Sequence, residues 1–147
     1  MIKIIVAAHG DLAQELVNSV EAVIGKQSNL YAVKGDIGDS LVQMKERVNN
    51  LLRGVNDDDG SLILTDIVGG TPCNASVPMC ILFNAEVISG VNLPMVLSAM
   101  FLSKKDITIS DLAEKVIFDG QKGMINVKKN YLTRQVKSKI TDVFFDF

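Results

Sequence analysis

The sequence predicts an α/β protein: a doubly wound, mainly parallel sheet flanked by helices. Three observations carry this. Short apolar runs alternate with amphipathic segments along the chain, as strand–helix–strand units require. The first run, Ile2 to Ala8, is apolar throughout except for Lys3, which suits a strand buried on both faces. Loops rich in glycine and aspartate follow the first and third runs, at the strand ends where open parallel sheets place their ligand sites.

Each element has its own local reason. After Ile2–Ala8, Asp11 offers an N-cap, and Leu12, Leu16, Val20 and Val23 or Ile24 recur at helical spacing until Gly25 stops the helix. Leu30 to Val33 reads as a second strand, and residues 34–40 as a loop. Leu41, Met44, Val48 and Leu51 or Leu52 mark a second helix ending near Gly54, with Asp39 as its simplest cap. Asn56 to Gly60 is an acidic turn before a third strand, Ser61 to Thr65. Thr71-Pro72 opens a third helix, with Thr71 able to cap it and Pro72 suited to its first turn; the spacing carries it to about Phe83. Ala85 to Ser89 is a fourth strand. Gly90-Val91-Asn92 leads into a helix from Leu93 to Leu102 that is apolar nearly all round, as a buried core helix or, the favoured reading, a helix covered by a second subunit would be. Ser110 to Phe118 reads as a short helix and Met124 to Val127 as a fifth strand. The last twenty residues are charged, weakly patterned and helical in tendency.

Composition excludes several function classes. The 147 residues fit one domain with a real core. A net charge of −2 without a basic tract argues against nucleic acid or an anionic membrane surface as partner. No stretch is long and apolar enough for a transmembrane helix, and MIKIIVAAHG has no signal-peptide pattern. The two cysteines, Cys73 and Cys80, make no disulfide framework, so a reduced, cytoplasmic setting is expected.

With strand order 2-1-3-4, the loop His9-Gly10-Asp11 lies beside the loop Asp66-Ile67-Val68-Gly69-Gly70-Thr71-Pro72, because adjacent strands are about 5 Å apart. His9, the single histidine, then comes within hydrogen-bonding reach of Asp66. A carboxylate accepting from one imidazole nitrogen fixes the tautomer and frees the other nitrogen as a nucleophile. Gly69 and Gly70 let the backbone approach closely, and N–H groups and the Thr71 hydroxyl at the helix start suit a phosphoryl group. His9 and Asp66 are therefore the expected catalytic pair, and Gly69, Gly70 and Thr71 the expected phosphate-binding residues. No metal or cofactor is called for.

These residues also carry a resemblance. IIVAAHG ending in His9-Gly10, the stretch Leu64-Thr65-Asp66-Ile67-Val68-Gly69-Gly70-Thr71-Pro72-Cys73-Asn74-Ala75, and Gly90-Val91-Asn92-Leu93-Pro94-Met95 resemble, in order, the enzyme IIA domain of mannose-class phosphotransferase systems (PTS). The resemblance covers roughly residues 1 to 128 and implies a IIA domain over 1–130, with 131–147 as a C-terminal extension. It implies that the residue matching His9 takes phosphate from the histidine-containing phosphocarrier protein HPr and gives it to enzyme IIB, serving membrane permease subunits indirectly, and that the aspartate at Asp66 orients it. It also implies an added antiparallel edge strand exchanged in a homodimer, which fits Met124 to Val127. With no Ala/Pro-rich linker in view, the chain reads as a free-standing IIA protein.

Other signals rank lower. The same fold serves as a receptor domain whose phosphorylation controls a transcription activator, and this is the alternative function. A hydrolase using Cys73 would need a base and an oxyanion site that cannot be assigned separately; Cys80, seven residues on along the same helix face, reads as core. Asp57-Asp58-Asp59-Gly60 lacks the spread of ligands an EF-hand requires. Asp36 sits near the rim of the expected site. No glycine loop fits a Walker or dinucleotide fingerprint.

Overall fold

The structure is a computed structural model that describes the backbone of residues 1–145 and side chains through residue 138; residues 146 and 147 of the predicted extension lie outside the described residues. Strands β1 (Lys3–His9), β2 (Leu30–Gly35), β3 (Ser61–Thr65) and β4 (Ala85–Ser89) alternate with helices α1 (Leu12–Ile24), α2 (Leu41–Val55), α3 (Thr71–Ser76), α4 (Met79–Leu82), α5 (Leu93–Leu102), α6 (Ile109–Lys122) and α7 (Val127–Phe145). The sheet runs β2-β1-β3-β4 with every pairing parallel, the predicted order.

The strand period of two divides the core. Ile4, Val6 and Ala8 of β1, with Leu62 and Leu64 of β3, pack under α1, α5 and α6. Ile5 and Ala7, with Ile63, pack under α2, α3 and α4 through Met44, Val48, Leu52, Ala75 and Met79. Burial on both faces explains the unbroken apolar run in β1. Helix α5 keeps its predicted bounds because Asn92 caps it, accepting from Met95 N at 2.9 Å, and Pro94 suits its first turn. Most of its apolar surface is covered within the chain: Met95, Val96, Ala99 and Met100 are buried, and Phe101 stays exposed. Gly120 permits this close approach, since a Cβ there would stand 2.3 Å from Met95 Cγ.

Several local expectations need correction. The helix predicted from Thr71 to Phe83 breaks into α3 and α4, because Pro78 has no N–H to continue the ladder. That break turns Cys80 outward, so it is exposed and not core. Ser40, not Asp39, caps α2: its hydroxyl accepts from Gln43 N while Gln43 returns a bond to Ser40 N, a capping box. Asp39 instead pairs with Arg47. Asp11 stands at the N-cap of α1 without a side-chain cap bond and pairs with Lys34 at 3.0 Å. Helix α6 runs to Lys122, four residues beyond Phe118. Met124 to Val127 joins no strand: residues 124–126 are irregular, and Asn126 accepts from Lys129 N at 2.9 Å as the cap of α7. A capping asparagine starts a helix at the point where four mixed residues read as a strand. Among the described residues, no helix is long and apolar enough to cross a membrane.

Candidate functional site

The site is built at the carboxyl end of the sheet. β1 is hydrogen-bonded to β2 on one side and β3 on the other, which fixes the backbone at His9, its last residue. In the β1–β3 register Ala7 is opposite Thr65, so Asp66, one step past β3, emerges beside His9. The approach is close. Asp66 Oδ2 lies 2.8 Å from His9 Nδ1 and also accepts from the His9 backbone N–H at 2.9 Å. The other oxygen, Oδ1, accepts from Ile67 N at 2.8 Å.

Exposure separates the two roles. The His9 side chain is 49% exposed and the Asp66 side chain 9%. Burial alone would raise the Asp66 carboxyl; the bonds from His9 N–H, the His9 ring and Ile67 N–H outweigh it and hold the group below the usual carboxylate range. An ionised carboxylate accepts only, so Nδ1 carries a proton, and in the neutral ring Nε2 then keeps its lone pair. The pair can therefore perform nucleophilic chemistry from Nε2 with charge support at Nδ1.

Of the predicted phosphate-binding residues, Gly70 sits against the same ring. Residues 67–70 form a turn in which Gly70 N–H donates to Ile67 O at 3.1 Å, and Gly69 takes a φ of +79°. Gly70, not Thr71, occupies the N-cap of α3, and Thr71 is the first helical residue. The Gly70 N–H is thus engaged in the turn and is not one of the free donors expected there. A Cβ at Gly70 would stand 2.9 Å from His9 Cε1.

The sequence reading missed three contributors. Gly35, paired with His9 in the β1–β2 register, accepts from Gly10 N at 2.8 Å, and a Cβ on it would crowd Ala8 O and Pro72 Cγ, both at 3.3 Å. Lys34 reaches Asp11 at 3.0 Å and Asp36 at 3.3 Å, tying the loop after His9 to the end of β2; its bond to Asp11, then that to Asp36, raises the ammonium above its usual range. Asn74 donates its side-chain amide to Gly69 O at 2.8 Å. A glycine at a strand end was the available signal for Gly35. Cys73 is buried in α3.

Comparison with known proteins gives the chain a family. Residues 3–117 match the EIIA-man family, described as PTS system fructose IIA component. The chain belongs to the EIIA-man family. It is 32% identical over 117 residues to the PTS system fructose-specific EIIA component of Bacillus subtilis, covering 76% of this chain and 77% of that one. It is 28% identical over 128 residues to the PTS system mannose-specific EIIAB component of Escherichia coli K12, covering 86% of this chain but 40% of that longer protein. Among solved structures, a phosphotransferase system component EIIA from Streptococcus agalactiae superposes with a TM-score of 0.78 at 31% identity, covering 88% of this chain and 99% of that one. As an EIIA-man member, the chain is a component of a sugar phosphotransferase system and belongs among the phosphotransferases.

Proposed function

We propose that this EIIA protein is the phosphoryl carrier between HPr and enzyme IIB, with His9 as the carrying residue. The observation that supports the reading best is the 2.8 Å contact from Asp66 to His9 Nδ1 on a half-exposed ring, because in the neutral imidazole it leaves Nε2 free to attack. In the forward step the Nε2 lone pair attacks the phosphorus of the donor's phosphohistidine. The new N–P bond forms at His9, the donor's N–P bond breaks, and its electron pair returns to the donor ring. Asp66 stabilises the positive charge that the phosphorylated, Nδ1-protonated ring acquires. The same exchange in the other direction delivers the group to enzyme IIB.

Asp66 orients the ring and is not itself modified. Gly69, Gly70 and Thr71 border the position of the phosphoryl group, with the Thr71 N–H and hydroxyl as donors, and neither metal nor cofactor takes part. Ile37, Ile67 and Val68 are exposed in the loops after β2 and β3 and suit contact with a partner protein. The IIA domain spans 1–130, with 131–147 as an extension, and acts in the cytoplasm, serving the membrane permease through IIB. It works as a homodimer.

The test is incubation with purified phosphorylated HPr, followed by intact-mass measurement and site mapping. A gain of one phosphoryl group located at His9, passed on when IIB is added, is expected. An unmodified chain, or a phosphoryl group elsewhere, refutes the reading.

A further inference from the structure

The His9 ring is gripped on two sides. Asp66 holds Nδ1 at 2.8 Å. The edge between the two ring nitrogens faces Gly70 so closely that a Cβ there would lie 2.9 Å from Cε1, 3.7 Å from Nε2 and 3.2 Å from Ile67 O. Cβ atoms do not approach other atoms at 2.9 Å without displacing something, so a bare glycine backbone forms this wall of the ring's seat.

Besides the turn bond from Gly70 N–H to Ile67 O, that wall is held from behind by Asn74. Asn74 donates its backbone N–H to Gly70 O at 2.9 Å and its side-chain amide to Gly69 O at 2.8 Å. The second bond bridges the first turn of α3 to the left-handed residue of the preceding turn, where Gly69 has a φ of +79°. The Asn74 side chain is exposed and packs in neither core cluster. Its bond to Gly69 therefore does little for the fold, yet it fixes the backbone on which the imidazole rests.

We infer that Asn74 is a positioning residue for His9, acting through the Gly69-Gly70 backbone to keep the ring against Asp66 in the Nδ1-protonated form. The inference rests on the proposed role of His9 as acceptor, but its first readout is the state of the ring and needs no transfer at all.

His9 is the single histidine, so selective 15N and 13C labelling of histidine gives one imidazole spectrum. At about pH 8.5, above the ordinary imidazole range, the tautomers are read directly from the nitrogen shifts. The wild-type chain is expected to show Nδ1–H with unprotonated Nε2, and a close contact between the His9 Cε1 proton and the Gly70 Cα protons. Asn74→Ala is expected to keep the backbone amide spectrum outside residues 67–74, to weaken that contact, to populate Nε2–H, and to slow transfer from phosphorylated HPr about three- to tenfold. Gly70→Ala, which pushes where Asn74→Ala releases, is expected to shift the tautomer further.

A folded Asn74→Ala protein with wild-type nitrogen shifts and contact overturns the inference, whatever Gly70→Ala does and whether or not Gly70→Ala folds. A wild-type chain that shows Nδ1–H but takes no phosphoryl group refutes the proposed function while leaving the positioning claim open to the same spectra.

Discussion

Replacing Asp66 by asparagine keeps the shape of the side chain and removes its charge. Three donors converge on the carboxylate: His9 N–H, the His9 ring and Ile67 N–H. A carboxamide can accept at one atom only. If its oxygen faces His9, its NH2 meets Ile67 N–H, donor against donor. If its NH2 faces His9, it opposes the His9 backbone N–H, and the ring can keep a bond only by presenting an unprotonated Nδ1, which moves the proton to Nε2 and removes the nucleophile. Either arrangement orphans at least one donor at a position 9% exposed, which costs about 1–3 kcal/mol of stability. Losing the charge opposite the phosphorylated ring, or losing the tautomer, slows transfer by at least about tenfold, equivalent to about 1.4 kcal/mol in the barrier. Single-turnover transfer from phosphorylated HPr, read by intact mass, measures the second effect; thermal unfolding measures the first. The variant should also flatten the acid limb of the stability curve. A carboxyl held below its unfolded value contributes stability above that value and loses it as pH falls through the folded one, and asparagine has no such dependence. A folded Asp66→Asn protein with wild-type transfer refutes the reasoning.

Further outcomes follow from the same geometry. His9→Ala should abolish acid-labile, base-stable labelling completely, because the chain has no other histidine; residual labelling of that type would overturn the assignment. Transfer from purified phosphorylated HPr should be unchanged by a chelator, and a chelator-sensitive rate would show that a metal ion takes part. Light scattering of the full-length chain should give the mass of a symmetric dimer; a full-length chain that is monomeric at micromolar concentration contradicts the homodimer.

The sheet was legible because its signals are local and redundant. β1 had to be buried on both faces, and β3 and β4 were bounded by turn residues, so the order 2-1-3-4 brought His9 beside Asp66. The errors came where two local rules competed. Apolar spacing ran straight through Pro78, but a proline inside a helix removes a donor, and α3 stops at Ser76. Asp39 and Ser40 can both cap; the glutamine at position 43 decided for Ser40, and that capping-box pattern was present in the sequence. Asn126 likewise outweighed the strand reading of its neighbours. The contact between Gly70 and the imidazole was not legible, because it depends on where a turn after β3 folds back across the end of β1.

The engaged N–H of Gly70 bears on how the proposed phosphoryl site would work. A loop that offered every backbone donor to the phosphoryl group would bind it tightly and release it slowly. In a relay between histidines one N–P bond is exchanged for another, so the site gains nothing from deep stabilisation of the product. It needs a nucleophile in the right tautomer, a fixed ring and access for two partners in turn. The structure spends its hydrogen bonds accordingly. Three go to the buried carboxylate that sets the tautomer. Others go to the backbone that walls the ring, with Gly70 N–H closing the turn and Asn74 holding Gly69 and Gly70. The imidazole itself stays about half exposed at the end of a central strand. If His9 is the phosphoryl acceptor proposed above, strong constraint on its ring is what that role requires.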